Sequence, residues 1–422
     1  MTHPVSATLP HATVHGWREA GVCCFRNLPY AQAPVGPLRF SPPQPLDCEG
    51  HIDAQQPLTV PPQFPSRLRD AMGDFEAPQS EDCLRLTLWT PAADARRRPV
   101  LVWLHGGAWQ SGAGALDWYH GAELAARGDI VVVAPNYRLG ALGWMALPDG
   151  TANLGLLDQE AAVDWVVAHI AHFGGDPEQI TVMGQSAGAM SVASMLMRTP
   201  RFQRGIMQSP SLGRGFRPLD KAREIATLFL HAAGVRDLDE ARALPVNALL
   251  QAQRHPEVTE WLANEGAQRS LFGPVADGHV IPLDPHPALA HGAAKADVIV
   301  GYNLDEMAAF PGRGLDDASR ALGDQIYGAP ARQWAQDATA QGRRAWSYRF
   351  DLRPNATFGA CHCVELPFVF NSFDAFAQAP MLQGLSDDDA QRVSAQMQSA
   401  WLAFVNTGDP GWAPWPHQTL WR

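Results

Sequence analysis

Ile180-Thr-Val-Met-Gly-Gln-Ser186-Ala-Gly-Ala-Met-Ser191 is the stretch that decides the fold. A short β-branched and apolar run, Ile180 to Met183, leads into Gly184-Gln185-Ser186-Ala187-Gly188. Small and apolar residues then continue through Met195 to Met197 with helical character. The order predicts a strand, a sharp turn and a helix, with a G-x-S-x-G pentapeptide at the turn. A side chain at either glycine of so tight a turn would collide with the neighbouring strand or helix. Ser186 is thereby pushed out at the carboxyl end of a sheet, above the N-terminal N–H groups of the next helix. Those donors and the helix dipole favour an oxyanion.

Working outward, Val100-Leu-Val-Trp-Leu104 and Ile130-Val-Val-Val-Ala134 are continuous apolar runs bounded by turn signals, as expected of strands covered on both faces. Leu84 to Trp89 alternates apolar and polar residues, the mark of a half-buried strand. A helix is predicted after Asn153, carrying Leu156, Val163, Val167 and Ile170 on one face and ending at Phe173-Gly-Gly-Asp-Pro177. Gly205–Gln208, Ala296–Tyr302 and Ala345–Phe350 read as further strands. Ser386-Asp-Asp-Asp389 opens a helix to Phe404, with acids at its N-terminal dipole end. Residues 1 to about 50 read as hairpin pieces and loops, and Gln55–Ser80, with five prolines, as a long surface loop. Strands alternating with helices imply an α/β fold with a mostly parallel central sheet flanked by helices. The expectation is a single domain over residues 1–422, with 211–272 and 307–344 as an abbreviated cap and pocket wall.

A net charge of −11 and the lack of a basic stripe argue against nucleic acid as a partner. No apolar run approaches the ~18–20 residues that span a bilayer, so no membrane is expected. The N-terminus lacks the basic and apolar regions of a signal peptide. Six cysteines at 23, 24, 48, 83, 361 and 363 match neither a disulfide framework nor C-x-x-C zinc spacing. A cytoplasmic protein with reduced thiols, without metal or cofactor, is the expectation.

A serine hydroxyl needs a base to take its proton and an acid to orient that base. In this fold they follow in the chain order serine, acid, histidine. Of fifteen histidines, only His362 and His417 lie beyond a late acid. His417 belongs to a Pro-rich tail, whereas His362 follows the 345–350 strand by a short loop, so His362 is chosen. The acid should leave a strand at its carboxyl end, where Val298-Ile-Val-Gly-Tyr302 delivers both Asp305 and Glu306; Asp297 sits at the wrong end. Physical reasoning does not separate Asp305 from Glu306. Leu104-His-Gly-Gly-Ala-Trp109 supplies a second strand exit whose glycines let the backbone approach a carbonyl oxygen. Cys361-His362-Cys363 is too compact to wrap one metal. Trp109, Trp118, Trp261, Phe272 and Phe310 could line an acyl or alcohol pocket, though each alone reads more simply as core.

With these residues in view, the chain resembles the type-B carboxylesterase family, relatives of bacterial para-nitrobenzyl esterases and the cholinesterases, of α/β-hydrolase fold. The resemblance runs through Phe25–Ala31, Ala33–Phe40, Ser80–Leu84, His105–Ala108, Asn136–Gly140, Asn153–Gln159, Phe173–Pro177 and the elbow. It implies Ser186 as nucleophile, Glu306 as acid and His362 as base. It also implies Gly107, Ala108 and Ala187 as oxyanion donors, with Ser209 and Glu365 in support. The implied activity is carboxylic ester hydrolysis on a small-molecule substrate, without a cofactor, by a monomer or homodimer. Four departures stand out. Gln185 replaces the family's usual glutamate, and no tryptophan lies between 50 and 82, so a quaternary ammonium substrate is not expected. No cysteine near Val60 can pair with Cys83. Shortening between Glu306 and His362 and after Trp412 suggests an open site that accepts bulky esters.

Overall fold

The computed structural model describes residues 2–266 and 269–422, so positions 267 and 268 of the expected 211–272 wall lie outside the described residues. The strands in chain order are β1 (His3–Thr8), β2 (Ala12–Glu19), β3 (Val22–Pro29), β4 (Gly50–Asp53), β5 (Arg85–Thr90), β6 (Arg98–Leu104) and β7 (Val131–Pro135). They continue with β8 (Gly175–Gln185), β9 (Arg204–Gln208), β10 (Arg217–Pro218), β11 (Val275–Ala276), β12 (Asp297–Asn303), β13 (Ala345–Phe350) and β14 (Gln418–Trp421). Among the described residues, twelve of them form one sheet in the order β1-β2-β3-β5-β7-β6-β8-β9-β12-β13-β14, with β4 beside β2. From β7 to β14 every pairing is parallel, while β1, β2, β3 and β5 join through antiparallel pairings. The apolar runs account for this: residues 100–104 and 130–134 are all buried, as a sheet covered on both faces requires.

The parallel register aligns the strand ends that matter. Leu104 is level with Gly184, Gln185 with Gln208, and Gln208 with Gly301. The chain therefore leaves β6, β8, β9 and β12 along one edge. Helix α1 (Leu154–His169) covers the sheet before the elbow and α2 (Ala187–Met197) leaves it, every residue of α2 being buried. Helices α3 (Leu219–Ala232), α4 (Leu238–Ala243), α5 (Val246–Ala252) and α6 (Pro256–Asn264) fill the 211–272 segment. In the 307–344 segment, α7 (Ala329–Ala340) packs against β12 and β13, the position of an ordinary crossover helix. Helix α8 (Asp387–Thr407) is capped by Ser386, whose hydroxyl accepts from the Asp389 N–H at 3.2 Å.

The Gln55–Ser80 stretch is largely the surface loop that its prolines predict, with helix only at Arg69–Met72, but part of it is buried. Gln63 is buried and exchanges two hydrogen bonds with Gly112: its Nε2 donates to the carbonyl at 2.9 Å and its Oε1 accepts the N–H at 2.6 Å. Proline removes donors but does not forbid burial when side chains such as Gln63 meet the remaining backbone groups.

Several of the motif segments serve as clamps. Arg39 makes a two-pronged ion pair with Glu81 at 2.5 and 2.7 Å and donates to the carbonyls of Ala241, Arg242 and Leu244. Arg138 meets Asp158 at 2.6 and 2.8 Å, both side chains being almost wholly inaccessible. Removing one member of such a pair leaves an uncompensated buried charge, which costs ~3–5 kcal/mol. Arg138→Met is expected to lower the urea midpoint of unfolding at unchanged m, the shift multiplied by m amounting to that ~3–5 kcal/mol. A loss below ~1 kcal/mol would mean that the pair is dispensable.

Candidate active site

The site is assembled from the carboxyl ends of four parallel strands. At the end of β8, Ser186 has φ 55° and ψ −114°, a conformation rarely tolerated outside glycine. The chain is held there by Ser186 N–H donating to the Gln208 carbonyl at 2.8 Å and by close approach on either side. A Cβ on Gly184 would lie 2.4 Å from the Gly188 backbone, and one on Gly188 2.0 Å from the Leu104 carbonyl. Only glycine fits at both positions.

His362 reaches Ser186 from the far side. Its Nε2 lies 2.8 Å from Ser186 Oγ, and its Nδ1 lies 2.5 Å from Glu306 Oε2. All three side chains are buried. Glu306 is itself held: its Oε1 accepts the Asn303 N–H at 2.8 Å, and its carbonyl accepts the His362 N–H at 3.2 Å. An imidazole so placed can take the hydroxyl proton, and the carboxylate behind it fixes the tautomer that leaves Nε2 free to accept.

The competing acid is otherwise engaged. Asp305 accepts from Arg320 and Arg353, each at 2.8 Å, and from the Ala360 N–H at 3.1 Å. Asp297 pairs with Arg344 at the opposite end of the sheet, and His417 is exposed.

The loop leaving β6 lies beside the elbow. A Cβ on Gly106 would approach Gln185 Oε1 to 2.5 Å, and Gly107 holds φ 111° with the Ser111 carbonyl directly over its α-carbon. Ala108 also has positive φ, and Gly106, Gly107 and Ala108 line the same cavity as Ser186 and His362. His105 braces this loop. Its Nδ1–H donates to the Gly106 carbonyl at 2.7 Å, and its ring stacks on Tyr137 at 4.3 Å. Burial holds its pKa down to about 4.

Glu365 is buried and accepts from Asn303 Nδ2 at 2.6 Å and Gln208 Nε2 at 3.2 Å. Burial pushes its carboxyl upward against the opposing Asn303 hydrogen bond. Ser209 does not join this network: among the described residues its buried hydroxyl has no hydrogen-bond partner, and only its N–H is used, toward Gly301. Asn303, Gln208 and Gln63 escaped the sequence reading. Asn303 was the findable one, because it ends the strand three residues before the acid.

Cys361 and Cys363 flank the base with thiols that burial pushes well above their usual range, so they stay protonated and inert. No group of three or more potential metal ligands occurs among the described residues, nor any helix long and apolar enough to cross a membrane. Gln185 Nε2 lies 3.2 Å from His362 Nε2 and places a neutral amide, not a carboxylate, beside the base. The cavity above Ser186 measures about 270 Å³. Of the five aromatics considered, Trp118 and Phe310 line it; Trp109, Trp261 and Phe272 do not. Residues 62–68 with Leu250, Gln253, Arg254, Thr259, Leu262 and Leu271 form its outer wall, whereas the 307–344 segment contributes Phe310 alone among the described residues.

A hydroxyl on a strand-to-helix elbow, backed by imidazole and carboxylate over a parallel sheet, defines a serine hydrolase of the α/β-hydrolase fold. The sequence model of the carboxylesterase family matches residues 5–320 and 310–421. The chain is 36% identical over 441 positions to a probable N-octanoylanthranilate hydrolase of Rhodococcus erythropolis, covering 96% of this chain and 94% of the relative. It is 33% identical to the para-nitrobenzyl esterase of Bacillus subtilis, covering 97% and 91%. A solved structure of a PNB esterase superposes with TM-score 0.87 at 30% identity, covering 99% of this chain and 95% of that one. The chain belongs to the carboxylesterase family and is a carboxylic ester hydrolase.

His105 gives the site a pH signature. Its pKa of about 4 lies below the ordinary 6.5, so the fold favours the neutral ring. That contribution is complete above pH 6.5 and is lost as pH falls to 4, the loss reaching roughly 3 kcal/mol there. His105→Gln is therefore expected to flatten the fall of the urea midpoint between pH 7 and 4. An unchanged slope in the variant would assign the acid sensitivity elsewhere.

Proposed function

We propose that the protein hydrolyses carboxylic esters through an acyl-enzyme, with Ser186 as nucleophile, His362 as base and Glu306 as orienting acid. The observation that carries this is the unbroken chain of contacts from Ser186 Oγ through His362 to Glu306, at 2.8 and 2.5 Å. His362 takes the hydroxyl proton as Ser186 Oγ attacks the ester carbonyl. The developing oxyanion is met by the N–H groups of Gly107, Ala108 and Ala187. His362 then gives its proton to the departing alcohol, and water repeats the cycle on the acyl-enzyme. Glu365 acts by fixing Asn303, which in turn holds Glu306.

The outer wall of the cavity, with Phe310, suits a bulky, largely apolar ester. The parts that act come from one chain, which fits a monomer or a homodimer of independent sites. Six free cysteines, five of them buried, support a reducing compartment, the cytoplasm. A second reading, cleavage of N-acyl aryl amides, is favoured by the relative named for N-octanoylanthranilate.

Ser186→Ala is expected to abolish hydrolysis of para-nitrophenyl acetate while the far-UV spectrum is retained; full activity in that variant would overturn the assignment. Glu306→Gln should lower kcat by ~10³-fold or more, since the wrong imidazole tautomer is then favoured. Turnover of anilides and aryl esters with matched acyl chains separates the two readings: an anilide preference would move the protein to the second.

A further inference from the structure

The mouth of the cavity carries charge that catalysis does not use. Arg67 and Arg254 both line it, and among the described residues no Asp or Glu does. Neither guanidinium has a carboxylate within ion-pair distance among the described residues, in a chain that carries 43 acidic residues against 32 basic ones. Each rests instead on an aromatic ring: Arg67 lies 5.1 Å from the Phe310 centroid and Arg254 3.3 Å from that of Phe64.

Cation–π stacking on a partly exposed ring is a common resting place for arginine, and at Arg254 it is explanation enough. At Arg67 it is not. A second guanidinium, Arg214, stands 5.6 Å from the same Phe310 ring and donates to Tyr327 Oη at 2.9 Å. The crowding around Arg67 and the like charge of Arg214 hold its pKa down to about 10, although the residue as a whole remains exposed. Two like charges near one ring repel, and an anion in the cavity beside Arg67 would offset that repulsion.

The position of Arg67 also indicates which half of a substrate it meets. Phe310 packs on the catalytic imidazole, ring centroids 5.4 Å apart, and lines the cavity. His362 must hand its proton to the departing alcohol, so that half of the ester lies on the imidazole side. Beyond it come Phe310 and then Arg67.

We propose that the enzyme takes esters whose alcohol half carries a carboxylate, bound by Arg67 across the face of Phe310. This rests on the esterase reading above and narrows it to acidic, preferably aromatic, alcohols or phenols. Arg67 is a specificity residue; it does not touch the reacting atoms.

The test compares kcat/KM for 4-acetoxybenzoate and for its neutral analogue 4-acetoxybenzamide. Intrinsic differences between the two leaving groups cancel when the ratio is compared between variants. Arg67→Gln is expected to lower the acid-to-amide ratio about tenfold or more, mainly through KM, as loss of a partly exposed charge-assisted contact implies. Added salt should lower the wild-type ratio and leave the variant's nearly flat. Arg69→Gln, two residues away, exposed and outside the cavity, should keep the wild-type ratio. A ratio within twofold of wild type in Arg67→Gln would overturn the proposal, as would an equal loss for an ester carrying its carboxylate on the acyl half. Calorimetric binding of 4-hydroxybenzoate against 4-hydroxybenzamide keeps the two readings apart. If no ester is turned over, yet 4-hydroxybenzoate binds tighter by an Arg67-dependent margin, the esterase reading fails and the anion site stands. If esters are hydrolysed without that margin, the reverse holds.

Discussion

The backbone of Ser186 is the constraint from which the site is built. A non-glycine residue at φ 55° and ψ −114° costs on the order of 1–3 kcal/mol and persists only where its surroundings leave the chain no alternative. Here they leave none. β8 is paired on both sides, by β6 and β9, and its last N–H before the helix is taken by the Gln208 carbonyl. The buried α2 follows at once, pressed so close to the end of β6 that the contact is with the Leu104 carbonyl itself. The strain is thus borne by the sheet, and the hydroxyl is held out toward His362 without any movement on substrate arrival.

Much of this was legible in the sequence because it rests on local patterns. Apolar runs gave β6, β7, β9, β12 and β13 within two residues, and the pentapeptide gave the elbow; β8 begins five residues before Ile180, and β14 lies in what reads as a Pro-rich tail. Chain order left His362 and His417, and the short loop after the 345–350 strand decided for His362. What stayed open was decided by contacts between segments far apart in the chain. Asp305 and Glu306 are neighbours on one strand exit. Two arginines, fifteen and forty-eight residues further on, occupy the first and leave the second for the base. The proline-rich stretch was legible as loop, but not which of its residues are buried, since Gln63 finds its partner in Gly112, forty-nine residues on. Asn303 and Gln208 were hidden for a related reason: an amide near a strand end announces nothing until its partners are known.

The motifs that carried the family resemblance divide in the same way. The elbow and His105–Ala108 shape the reaction centre. Leu38-Arg-Phe40 with Ser80–Leu84, and Asn136–Gly140 with Asn153–Gln159, are instead pairs of segments joined by Arg39–Glu81 and Arg138–Asp158. Each pair holds charge away from water, where either partner alone would be stranded.

The wall and the machinery come from different parts of the chain. Strand ends carry Ser186, Glu306 and the Gly106–Ala108 loop, whereas the outer cavity is drawn from residues 62–68 with Leu250, Gln253, Arg254, Thr259, Leu262 and Leu271, which lie outside the sheet. Gln63 ties the first of these to Gly112, and Gln253 Oε1 ties the second to the Ala141 N–H at 3.4 Å. The lining can therefore be altered side chain by side chain without displacing a strand end.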